Sequence, residues 1–125
     1  MYTVARFLIG QEQLSALQAV GEKMNAVRPG IFQGLRSRGD GIAIDVADGS
    51  RWDDQSAAII SFVRELKEQI RTARRLGASV TIDVAVEPED AGRIPLVLRQ
   101  EPELMQELAS EGIALEVSIY VSSTT

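Results

Sequence analysis

Asp45, Asp83 and Glu116 are the residues of this chain best placed by type and spacing to do chemistry. Each falls in a segment that alternates apolar with polar or small residues: Ile42–Ala47, Ser79–Glu87 and Ile113–Val121. Successive side chains of a strand point to opposite faces. Ile42, Ile44 and Val46 therefore oppose Ala43, Asp45 and Ala47. Val80, Ile82, Val84 and Val86 oppose Thr81, Asp83, Ala85 and Glu87, and Ile113, Leu115, Val117, Ile119 and Val121 oppose Ala114, Glu116, Ser118 and Tyr120. The alternation predicts that the three carboxylates share the non-core face of one sheet. Paired carboxylates can divide acid and base roles when their surroundings drive their pKa values apart, and oxygen ligands can hold Mg²⁺ or Ca²⁺. Both uses need a concave, partly desolvated site. The neighbours Ala43, Ala47, Ala85 and Ala114 are small, which predicts a shallow face. A shallow acidic face flanked by Tyr120 suits a basic protein partner, because aromatics are enriched at interfaces and complementary charge speeds encounter. The bland alternative is a solvated face whose charges aid solubility and discourage edge pairing.

Composition narrows the chemistry further. The chain has no cysteine and no histidine. That removes disulfides, thiolate nucleophiles and thiolate metal sites, together with the commonest general base and metal ligand. A Ser-His-Asp or Cys-His arrangement within the chain is excluded. The 125 residues carry 13 basic and 18 acidic side chains, a net charge of −5, which disfavours nonspecific binding to phosphates or anionic lipid. No run approaches the apolar length of a membrane span. The opening Met1-Tyr2-Thr3-Val4-Ala5-Arg6-Phe7-Leu8-Ile9 lacks a basic leader and a small-residue cleavage site, so it reads as a strand and not as a signal peptide. A cytoplasmic protein with no cofactor is the expectation.

Three other features have ordinary structural explanations. Arg36-Ser37-Arg38-Gly39-Asp40-Gly41 is glycine-rich and basic, but it lacks the Gly-Lys-Ser/Thr of a P-loop and the Rossmann spacing. It reads as a surface loop, with Arg36 and Arg38 as candidates for partner contact. Arg64, Lys67, Arg71, Arg74 and Arg75 make one helix basic. No aromatic interleaves them, and cations near a helix C-terminus match its dipole, so nucleic acid is not the expected partner. Trp52, the only tryptophan, reads as a plug fixing a strand-to-helix turn ahead of a ligand-stacking residue.

The elements that must position these residues follow from periodicity. Tyr2–Ile9 predicts a strand. Leu14, Leu17, Val20, Met24 and Val27 make one apolar stripe at helical period. Gly21 within it marks a close approach to the sheet, and Arg28-Pro29-Gly30 stops the helix. Residues 28–41 read as an irregular loop pinned by Ile31, Phe32 and Leu35. Strand Ile42–Ala47 ends at Asp48-Gly49, a strong turn pair. A long helix is predicted from Asp53 to Leu76, capped by Asp53 or Asp54 and ended by Gly77. Pro88–Gly92 reads as a turn, and Ile94–Leu98, with Pro95, as an edge strand at best. Pro102 opens a third helix that runs to Glu111. The order β-α-β-α-β-(β)-α-β, with half-polar strands, predicts a single α/β domain over 1–121 and a frayed tail at 122–125. Its architecture is a two-layer sandwich, with helices on one face of a mainly antiparallel or mixed sheet.

From Trp52 to Tyr120 the chain resembles a bacterial family catalogued as domain of unknown function 4279. The resemblance rests on the lone Trp52, on Phe62, Leu66 and Ile70, and on the run Leu96-Val97-Leu98, Glu103–Ala109 and Gly112–Tyr120. It implies no activity and no catalytic residue. Small acidic proteins of this kind also resemble immunity proteins, which neutralise secreted antibacterial toxins by covering them. The expectation is a protein-binding module of that immunity type, not an enzyme, contacting a basic toxin through Asp45, Asp83, Glu116 and Tyr120 or through Arg36 and Arg38. The alternatives are a carboxylate-based metal protein or enzyme, and a domain that self-associates through the shallow face.

Overall fold

A computed structural model describes residues 1–49, 51–87 and 97–120. Five strands form one mixed sheet in the order β2-β3-β1-β4-β5. These are β1 (Tyr2–Leu8), β2 (Phe32–Leu35), β3 (Gly41–Asp48), β4 (Ser79–Val86) and β5 (Ala114–Ile119). Every neighbouring pair is antiparallel except β4–β5, which is parallel. Four α-helices are described: α1 (Leu14–Val27), α2 (Trp52–Glu65), α3 (Lys67–Arg75) and α4 (Pro102–Ser110). They pack on one face, so the two-layer α/β sandwich expected from the sequence is the observed architecture.

Alternation explains the core. Ala5, Phe7, Ile42, Ile44, Val80, Ile82 and Val84 point from the sheet into the helix layer. Leu17, Val20 and Met24 of α1, Ile59, Phe62 and Val63 of α2, Ile70 of α3 and Leu104 and Leu108 of α4 meet them in one cluster. Burying each large side chain contributes about 1.5–3 kcal/mol. Gly21 does sit where α1 comes closest to the sheet: a methyl there would lie 2.9 Å from a Phe32 ring carbon and 3.0 Å from Ile42 Cδ1.

Residues 28–41 are not an irregular loop. Phe32 pairs with Ile44 and Leu35 with Ile42, and Asn25 Oδ1 accepts from the backbone N–H groups of Gly30 and Phe32, shaping the entry. Gly34, at φ +94°, supplies the irregularity between the two pairings, which hides the strand from a period-two pattern. The predicted long helix is also two helices. Leu66, at ψ 18°, breaks it, and that bend lets α2 lie over β3 and β1 while α3 packs on α1 and β4. Arg51, not an aspartate, is the N-cap. Asp53 and Asp54 fall in the first turn, where carboxylates favour the dipole. The expected turn at Pro88–Gly92, most of the suggested edge strand at Ile94–Leu98 and the tail at 122–125 lie outside the described residues. Val97 and Leu98 themselves are in irregular backbone.

Trp52 is a plug. It is buried, and its Nε1 donates to the Arg99 carbonyl at 2.8 Å, tying the chain before α4 to the start of α2. A second anchor went unread in the sequence. Gln55, fully buried in α2, donates through Nε2 to the carbonyls of Met1 and Gly49 and accepts from Thr3 Oγ1 at 2.6 Å. It joins β1, the turn after β3 and α2 at one polar point.

Candidate binding face

The sheet face away from the helices carries the carboxylates. Val4 stands opposite Asp45 on one side and Asp83 on the other, and Asp83 is in register with Glu116. Side chains at paired positions share a face, so the strand register places the row where alternation predicted it. Two details change its character. First, the β1–β3 register shifts between Thr3 and Val4. Asp48, not Ala47, therefore stands opposite Tyr2 on the open face, while Ala47 pairs with the core-facing Thr3. Second, β1 contributes Arg6 to the same face, and its Nη2 donates to Glu116 Oε2 at 2.5 Å. The row is a mixed surface.

Each carboxylate already has a partner. Gln33 Nε2 donates to Asp45 Oδ2 at 2.5 Å, and Ser118 Oγ donates to Asp83 Oδ1 at 2.9 Å. Asp83 is only 8 % exposed, so the middle of the row is covered by its neighbours and not openly solvated. Strands about 4.8 Å apart put Asp45 and Asp83 roughly 10 Å apart across Val4, too far to share a cation. Among the described residues no three acidic side chains converge on a common point.

The end of the sheet near Tyr2 carries the two tyrosines of this face. Tyr2 pairs with Ala85, and Tyr120, following β5, donates its backbone N–H to Val86 O. Tyr2 is raised above the ordinary phenol pKa by burial first, then by the charges of Tyr120, Asp83 and Glu87. Beside it, at the β1–β3 bulge, a shallow groove of about 330 Å³ is lined by Tyr2, Val4, Asp45 and Asp48 and also by Thr3, Ile31, Val46 and Ala47. An aromatic wall with two carboxylates is suited to a cationic, partly apolar side chain such as lysine or arginine.

The predicted contact residues do not form one site. Asp45, Asp83, Glu116 and Tyr120 occupy the open face, but Arg36 and Arg38 lie in the turn between β2 and β3, at the opposite end of the sheet from Tyr2. That turn is ordered: Gly39 N bonds Arg36 O and Arg36 N bonds Gly41 O, each at 2.9 Å. Arg36 is held by Asp40 at 2.8 Å, and Arg38 is exposed. Tyr2, Arg6, Gln33 and Asp48 were missed. The first two sit in β1, whose polar face is broken by Val4 and Leu8. Asp48 needed the bulge to reach the face.

Arg64, Lys67, Arg71 and Arg74 of the basic stretch bond to α4 or to the turn that follows it. Arg64 pairs with Glu103 and Glu107, Lys67 with Glu107, and Arg71 donates through Nε and Nη2 to the two carboxylate oxygens of Glu111 at 2.8 and 3.0 Å. Arg74 donates to the Gly112 carbonyl. Glu111 is buried, and its carboxyl is held below the usual range chiefly by Arg71, with Lys67 and Arg74 adding to the effect against the cost of burial. These cations clamp α2 and α3 to α4. No helix among the described residues is long and apolar enough to cross a membrane.

The chain matches no protein-family model, no curated protein and no solved structure.

Proposed function

We propose that this protein is a protein-binding module that receives a basic partner on its open sheet face. The observation that carries this is the groove beside Tyr2, where Asp45 and Asp48 rim a shallow aromatic surface on the side of the sheet that the described helices leave uncovered. Tyrosines contribute contact area at small entropic cost, and acidic rims steer cationic partners. An immunity-type inhibitor that occludes a bacterial toxin in the cytoplasm is the specific form of this proposal. The small size, the net charge of −5 and the lack of histidine and cysteine support it. The resemblance to the domain of unknown function 4279 family is retained as a proposal beside it. Of the residues that carry it, Trp52, Phe62, Leu66, Ile70, Leu104 and Leu108 are buried and serve the fold, while Val97, Met105 and Tyr120 are exposed; the resemblance assigns none of them a function.

The test is coexpression with the product of the neighbouring reading frame. A secreted basic toxin should copurify with the parent protein and lose its toxicity. The double variant Asp45→Lys/Asp48→Lys, which changes two exposed side chains, should release it. A complex that survives this charge reversal unchanged would place the contact elsewhere.

A further inference from the structure

The two edges of the sheet are built differently. β2 is four residues long and irregular at Gly34, features that blunt an edge against pairing. β5 has none of these protections. Its sequence Ala-Leu-Glu-Val-Ser-Ile contains no proline, lysine or glycine, and its pairing with β4 is regular from Ala114 to Ile119. No strand pairs with its outer side among the described residues. Val117 and Ile119 are 39 % and 59 % exposed.

Backbone direction can be read from the ladder. Tyr120 donates its N–H to Val86 O. In a parallel pair, alternate residues turn both backbone groups toward the same neighbour. Glu116 and Ser118 therefore face β4, and Leu115, Val117 and Ile119 present their N–H and C=O groups outward. The residues whose backbone groups point outward, unpaired with any described strand, are thus also those whose side chains are apolar.

We propose that β5 is a dimerisation edge that pairs antiparallel with β5 of a second copy, with the twofold axis at Val117. This register sets Val117 opposite Val117 of the second copy and Leu115 opposite Ile119, so every outward N–H and C=O of the three residues meets a partner. On the other face it sets Glu116 opposite Ser118. Moving the axis one residue to Glu116 would set like charges directly opposite, at the shorter separation of a non-hydrogen-bonded pair. Charge and hydrogen bonding therefore select the same register. Face-to-face association would instead stack the carboxylate rows on each other. The edge dimer leaves the open face free and joins two such faces into one continuous sheet. The proposal rests on the edge alone and is independent of any partner bound at the groove.

Sedimentation equilibrium of the full chain at physiological ionic strength, where the net charge is screened over about 8 Å, should show a monomer–dimer equilibrium. Val117→Pro removes an N–H that points away from β4, a position where proline is tolerated. It should weaken the dimer by about 30-fold or more, since two interchain bonds are lost, with an unchanged circular dichroism spectrum. Because the chain has no native cysteine, Val117→Cys should form an interchain disulfide under oxidation. Ser118→Cys, whose counterpart is displaced by two residues along the strand, should not. This cysteine pair decides the matter if the proline variant fails to fold. A parent protein that stays monomeric at millimolar concentration overturns the proposal, as does a dimer indifferent to Val117→Pro, or cross-linking at 118 as fast as at 117.

Discussion

Glu111 shows how one buried residue can couple folding to pH. Arg71 holds its carboxyl below the ordinary value of about 4.5. A folded pKa depressed in this way adds stability that is present above the unfolded value. It is lost as pH falls through the folded value, because the unfolded chain binds the proton more readily. Acid unfolding followed by circular dichroism should therefore lose a component in Glu111→Gln. At neutral pH that variant should be less stable by about 1–2 kcal/mol, the scale of a charged hydrogen bond. Gln55 is a neutral counterpart. Replacing it with alanine leaves the carbonyls of Met1 and Gly49 and the Thr3 hydroxyl without this partner. The expected loss is about 2–3 kcal/mol in urea denaturation, well above that of an exposed glutamine.

At the scale of elements, the helices and the strands β3, β4 and β5 were legible because their periods are clean. The apolar stripe of α1 and the alternation in β4 leave little choice. β2 was illegible because four residues with a central left-handed glycine have no period. The break at Leu66 was illegible because an apolar residue at the kink fits the same stripe as its neighbours. Its consequence is the different packing of α2 and α3. The open face was half legible. Alternation found Asp45, Asp83 and Glu116, but pairing between distant segments brought in Arg6, and a bulge exchanged Ala47 for Asp48. Neither event leaves a local signal. Gly21 tests the helix–sheet contact directly. Alanine would gain roughly 1 kcal/mol of helix propensity, yet it must displace Phe32 and Ile42, an overpacking cost of typically 1–3 kcal/mol. Gly21→Ala should therefore be neutral to destabilising by about 2 kcal/mol in thermal or chemical unfolding. A clear gain in stability would show that α1 stands farther from the sheet.

For the whole molecule, the arrangement separates stability from recognition. The ion pairs of Arg64, Lys67 and Arg71 with α4, the Trp52 and Gln55 anchors and the apolar cluster all lie on the helix side. The open face carries small residues, paired carboxylates and two tyrosines, so substitutions there should change binding more than stability. Asp45→Lys/Asp48→Lys is expected to unfold within about 0.5 kcal/mol of the parent, as surface substitutions usually do. Calorimetric titration of the purified parent and of this double variant with the neighbouring frame's product, at matched ionic strength, is the most direct measurement. A contact centred on the groove requires tight binding by the parent and a loss of at least about 100-fold in the variant, since close charge pairs at interfaces are worth several kcal/mol. Equal affinities for parent and variant, or no binding by either, would contradict the assignment of the open face as the recognition surface.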